Sequence, residues 1–204
     1  MKSILIIFVA TICFLSCNKD EEKSQEPPLP FETQIGANTF GCIVNNRLFY
    51  PRDGNGNFGG GSADKGIVFW GDYSNNLFLY NEIDIANYKD AKPVAKMIIH
   101  LDSLYYKKEG VYTLKETNFN TSVDGLMQNY MHAEVFNPNT NTWFMYGSYL
   151  NSGKVTITRF DFDNRIVSGT FTGKLRIYQG VQEIDILNGR FDINWSTLQT
   201  TFFP

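Results

Sequence analysis

Asp53, Asn55, Asn57 and Asp64 set oxygen-bearing side chains at alternating positions of DGNGNF and again eleven residues after the first. This is the opening of a calcium-loop pattern. The sharp turn in that pattern needs Gly at its sixth position, and Phe58 stands there. Gly59, Gly60 and Gly61 follow, so the segment reads as a glycine-rich loop and no metal is assigned to it. His100 and His132 are the only histidines. Each lies opposite the apolar phase of its segment, which predicts exposure to solvent. An exposed pair would be free to ligate a metal or haem, but no Met or Cys cluster accompanies it. Gly169 to Lys174 superficially resembles a phosphate loop, but it is one residue short between the glycines and no Ser or Thr follows the lysine. G-x-S-x-G, H-E-x-x-H and C-x-x-C are all absent. Only a fold can bring two carboxylates to the spacing of a glycoside hydrolase. A carboxylate-dependent glycan hydrolase is therefore the alternative reading, and an enzyme is the less favoured class. No catalytic residue is assigned and no cofactor is implied.

Stacking chemistry is better represented. Trp70, Tyr73, Tyr80, Tyr105, Tyr106 and Trp143 are candidates for an aromatic ligand-binding platform, although core or cross-strand pairing would use the same residues. Aromatic residues make up 15% of the chain, which suits pleated, half-buried surfaces. The formal charge is −3, without the clustered Lys and Arg that a nucleic-acid surface needs. Cys42 sits in the strand-like TFGCIVNN and reads as a buried, inert thiol.

The elements that must position these residues are strands. TFGCIV-NN-RLFYP is a hairpin signal, with Asn45 and Asn46 suited to the positive φ angles of a type I′ turn. GIVFWGDY-SNN-LFLYNEIDI, AKMIIHLDSLYY-KKEG-VYTLKE and YMHAEVF-NPNTN-TWFMYGSYL repeat the pattern. From Lys154 to Trp195 the chain reads as a meander. Its inward phase switches near Arg159 (Val155 and Ile157 on one side, Phe160 and Phe162 on the other), which predicts a β-bulge. NYKDAKP and TSVDGLMQNY have room only for a turn or a short helix. Roughly ten strands at regular spacing predict an all-β, single-domain antiparallel sandwich or barrel.

The amino-terminal residues have a different character. Lys2 precedes an apolar run from Ile4 to Leu15 that is 12 residues long, the length of a signal h-region and short of the ~20 residues of a membrane span. Leu15-Ser16-Cys17 resembles the lipobox of bacterial lipoproteins, which implies cleavage before Cys17 and lipidation of its sulfur. Lys19, Asp20, Glu21 and Glu22 follow, and they resemble the acidic export signal of Bacteroidota surface lipoproteins. The organisation expected is a signal peptide over 1–16, a lipidated acidic, Pro-containing tether over 17–30, and a β-rich domain over 31–204. Losing Lys2 with the leader takes the charge from −3 to −4.

Within the body, TQIGANTFGCIVNN, ITRFDFDNRIVSGTF and DILNGRFDI look like segments of an uncharacterised family of Bacteroidota surface lipoproteins. The resemblance implies a β-rich body on the outer membrane and brings no catalytic residues. Asp102-Ser103-Leu104 also resembles the O-glycosylation sequon of exported Bacteroidota proteins, with Ser103 as the acceptor. Together these readings predict a monomeric binding or adaptor module, anchored to the outer membrane through its lipid. Its partner would be a glycan or an outer-membrane protein. A purely structural envelope lipoprotein is a further alternative.

Overall fold

The computed structural model describes residues 28–55, 64–71, 80–89, 94–137 and 139–204. Strands account for 53% of the chain and helix for 6%, so the protein is all-β. In chain order the strands are β1 (Thr39–Val44), β2 (Arg47–Phe49), β3 (Ile67–Gly71), β4 (Tyr80–Ala86), β5 (Val94–Asp102), β6 (Gly110–Thr113), β7 (Tyr130–Asn137), β8 (Thr142–Gly147), β9 (Gly153–Asp161), β10 (Ile166–Ile177) and β11 (Glu183–Asn194). One short helix, α1 (Leu104–Lys107), follows β5.

All the described strands belong to one antiparallel sheet ordered β2-β1-β11-β10-β8-β7-β5-β4-β3, and it curls into a half-barrel. β10 is the branch point. Its first eight residues pair with β9, which carries β6, and Arg176 and Ile177 at its end pair with β8. Besides a register slip in β5 between Val94 and Lys96, two bulges help the sheet to bend. One lies in β9, where Ser168 faces Arg159 but Gly169 faces Ile157. The other lies in β11, where both neighbours slip by one residue at Asn188, whose φ is +52°. Extra residues of this kind raise the local twist. Asn45 and Asn46, at φ +48° and +65°, form the tight β1–β2 turn that the sequence predicts.

The concave face holds the core. Ile83, Ile85, Met97, Ile99, Leu101, Met131, Val155, Val167, Leu175, Ile186 and Ile193 pack there with essentially no exposure. Burying each such side chain is worth about 1.5–3 kcal/mol. Cys42 lies in this core, where burial pushes its thiol pKa up. Rings of Phe69, Trp195, Phe160, Phe162 and Tyr105 pack together where β3 and β9 approach the end of β11.

Two carboxylates tie the chain ends to the sheet. Asp192 accepts hydrogen bonds from Thr33 Oγ1, Ser168 Oγ and the amides of Ile35, Gly36 and Ala37. Burial favours its neutral form, but the bonds from Thr33, Ser168, Ala37 and Gly36 outweigh burial and hold its pKa below the usual carboxylate range. Leu29 and Pro30 already lie against Gly41. Asp53 accepts from the amides of Gly66 (2.7 Å) and Phe203 (3.3 Å) and pairs with Lys65 at 3.4 Å. This carboxylate closes a turn onto the C-terminus and is not held open for a cation.

Candidate functional site

Residues 114–129 join β6 to β7 as a strap across the convex face. Its ends are fixed by Leu114 N donating to Gly153 O and Lys115 N donating to Asn129 O, and its middle by Thr117 N donating to Ser148 O. Phe119 and Ser122 hold left-handed backbone at φ +62° and +57°. That conformation costs of order 1–3 kcal/mol in a bulky residue, so surrounding contacts must enforce it. Gly147 is one reason it can form. A methyl group there would meet Thr117 Cγ2 at 2.3 Å and the Phe119 ring at 2.6 Å. Asn118 completes the bend, accepting from Asn120 N and donating to Asp124 O.

Under the strap lies a polar layer. Glu82 and His100 face each other across β4 and β5, and both are fully buried. His100 Nδ1 lies 2.9 Å from Glu82 Oε2, and the amide of Ser122 donates to the same oxygen at 3.1 Å. The hydroxyls of Ser122 and Tyr80 meet at 2.8 Å, and Tyr130 Oη donates to Asn120 O. The rings of Tyr80, His100, Tyr130 and His132 stack in a row with centroid spacings of 4.8, 4.4 and 6.0 Å. Phe119 caps His132 at 5.9 Å.

The expectation of exposed histidines is therefore corrected. His100 is 0% and His132 4% exposed, because the strap covers the face that their alternation turns outward. Burial pushes His132 down to about 4, against the opposing pull of Glu82. Asp84, next to Glu82 on the same face, is pushed up to about 7, first by burial and then by the Glu82 charge. Among the described residues, Glu82 Oε1, Asp84 Oδ1 and His100 Nε2 are buried without a hydrogen-bond partner. Glu82 is sealed and engaged by Ser122 and His100, so it latches the strap and offers no reagent to solvent.

Beside the strap, its edge and the β10–β11 turn enclose a cleft of about 510 Å³. Phe119, Tyr149, Ile177 and Tyr178 supply apolar faces, and Asn118, Arg176 and Gln179 supply polar edges. Tyr178 is 59% exposed and packs edge-on against Phe119 at 5.1 Å. The Arg176 guanidinium lies 4.1 Å over the Tyr149 ring and pairs with Glu183 at 3.0 Å. Hydrogen bonding to Glu183 raises the Tyr149 pKa and keeps its phenol protonated. The cleft thus offers flat apolar surfaces next to fixed donors and acceptors, the composition of a small-molecule site.

Among the described residues, none of the aromatic residues singled out in the sequence lines this cleft. Trp70, 40% exposed on β3, hydrogen-bonds Asp84. Tyr80 is buried under the strap. Tyr105 belongs to the cluster near Trp195, with Tyr106 edge-on to it. Trp143 packs on Phe136 at the β7–β8 hairpin. Tyr73 lies outside the described residues, as do Asn57, Cys17, Lys19, Asp20, Glu21 and Glu22. Among the calcium candidates, Asn55 is exposed, and Asp64 meets Gly54 through its backbone carbonyl. No group of three or more His, Cys, Asp or Glu suited to a metal occurs among the described residues. Ser103 follows β5 in left-handed backbone, with its hydroxyl on Asp102 at 3.0 Å.

Sequence reasoning missed Phe119, Tyr149 and Tyr178. The available signal was weak: a Tyr beside each of two turns, at Tyr149 and Tyr178, where an aromatic is not needed for the core. Comparison with protein-family models, curated proteins and solved structures finds no match for this chain.

Proposed function

We propose that this protein is a binding module of the outer-membrane surface, held there by lipid on Cys17, and that its cleft takes a neutral glycan. The observation that carries the binding role is the exposed Tyr178 ring set against Phe119 and flanked by Arg176, Asn118 and Gln179. A sugar ring has an apolar C–H face and a rim of hydroxyls. An aromatic face with polar neighbours complements both. The anchor rests on the lipobox-like Leu15-Ser16-Cys17 and the acidic run behind it. Two or more acyl chains hold a body stably where one does not.

The binding test is titration of the purified chain with neutral oligosaccharides, followed by backbone amide shifts. Binding should perturb Phe119, Tyr149 and Tyr178, and Tyr178→Ala should abolish it without changing the melting temperature. Saturable binding that ignores Tyr178→Ala would move the site elsewhere. For the anchor, Cys17→Ala should yield unlipidated protein absent from the outer membrane. Replacing Asp20, Glu21 and Glu22 by Ala should retain the lipid yet protect the body from protease added to whole cells.

A further inference from the structure

At one end of the half-barrel, Val44 and Ile184 from β1 and β11 face Val94 and Val135 from β5 and β7 across a cavity of about 280 Å³. These strand pairs are not neighbours in the sheet, and only its curvature brings them together. Mouths of β-barrels are frequent ligand sites, and this one falls just below the roughly 300–1,000 Å³ of sites for drug-sized molecules. Two donors border it. Tyr146 is 5% exposed and lines the cavity, yet its hydroxyl has no partner among the described residues. Arg47 stands at the exposed rim without a hydrogen bond or ion pair among the described residues. The other described arginines engage a carboxylate, a carbonyl or a ring.

We propose that this mouth binds a small carboxylic acid with an apolar body, separately from the glycan cleft. The carboxylate accepts hydrogen bonds from Arg47 and Tyr146, and the apolar body lies against Val44, Val94, Val135 and Ile184. A guanidinium matches a carboxylate through paired N–H donors, which selects the acid over a neutral or cationic head group. The Tyr146 ring is buried while its hydroxyl opens on the cavity without a partner among the described residues, so it is free to donate to such an acceptor.

The test uses octanoate, 1-octanol and octylamine as probes of one apolar length and three head groups. The full chain is titrated, and the methyl signals of Val94 and Val135 are followed by NMR. Octanoate should bind most tightly and octylamine least. Arg47→Ala should weaken octanoate about tenfold, the size of a lost hydrogen bond to a charged group, while leaving octanol unchanged. Val135→Trp should fill the mouth and abolish binding of all three. Failure of octanoate to shift these methyls at millimolar concentration would overturn the proposal, and so would binding indifferent to Arg47→Ala. Arg47 is an exposed rim residue, so that variant decides the matter even if Val135→Trp does not fold.

Discussion

The concave face of β4, β5 and β7 and the part of their convex face that carries Tyr80, Glu82, His100, Tyr130 and His132 are both closed to water, by opposite means. The concave face is dry because it is apolar. Ile83, Ile99 and Met131 pack there with neighbours on every side. The convex face carries Tyr80, Glu82, Asp84, His100, Tyr130 and His132, and the strap is held over it by hydrogen bonds to Tyr80, Glu82 and Tyr130. Apolar packing has no directional requirement and leaves nothing unpaired. Among the described residues the polar layer leaves three buried atoms without partners, and buried polar groups in that state are costly. The concave face should therefore supply global stability, and the convex face a locally weaker unit whose strap edge builds the cleft.

Four experiments break or sharpen this contrast. The largest effect is expected on the concave face. Ile99→Ala should cost about 2–5 kcal/mol in urea unfolding, because the site cannot collapse around the lost side chain. A loss below 1 kcal/mol would show that the core is loose there.

On the convex face, Glu82→Ala strands the His100 ring nitrogen and the Ser122 amide. Each unmet buried donor costs about 1–3 kcal/mol. The loss should appear as faster hydrogen exchange over residues 117–125, with the amides of β10 and β11 still protected. Uniform loss of protection across the sheet would mean that the two faces are a single cooperative unit.

The third experiment separates the titrations of the polar layer. His132 has a native pKa of about 4, below its unfolded value of ~6.5. Its contribution to stability is complete above that unfolded value and is lost as the pH falls through about 4. Asp84 has a native pKa of about 7, above its unfolded value of ~3.9. Its contribution is complete below that unfolded value and is lost as the pH rises through about 7. Between these limits the two slopes oppose each other, so the native protein should show a nearly flat stability profile. Asp84→Asn should expose a rise with pH, and His132→Phe a fall, each up to about 1.4 kcal/mol per pH unit. Urea midpoints measured from pH 4 to 8 read both, and unchanged profiles in the two variants would remove these residues from the linkage.

The smallest effect on stability is expected at the cleft. Arg176 is exposed, so Arg176→Ala should leave the melting temperature unchanged while weakening glycan binding. A clear loss of stability would make the Arg176–Glu183–Tyr149 group a structural clasp.

How far the sequence could be read follows from the range of each interaction. Asn45 and Asn46 define their turn because the φ angles it needs are a property of the residue types themselves. The bulge at Arg159 is legible because a slip of one residue reverses the inward phase of β9. Cys42 and the strands of the meander are likewise read from alternation over a few neighbours. Asn188-Gly189 shows the limit. The pair has the composition of a hairpin turn, yet β11 runs straight through it as a bulge. Phe171 on the next strand needs the space, since a methyl group on Gly189 would meet its ring at 2.4 Å. The strap is a second case. Alternation assigned His100 and His132 correctly to the face opposite the core, but whether that face met water depended on residues 114–129 folding back over it. Phe119 and Tyr178 are 59 positions apart and become neighbours only through that fold. The amino-acid sequence alone determined strand phase, turn chemistry and the all-β class, because these depend on contacts between close neighbours in the chain. Tertiary structure decided which outward face was covered and which aromatic residues share a cleft, because these depend on distant segments meeting.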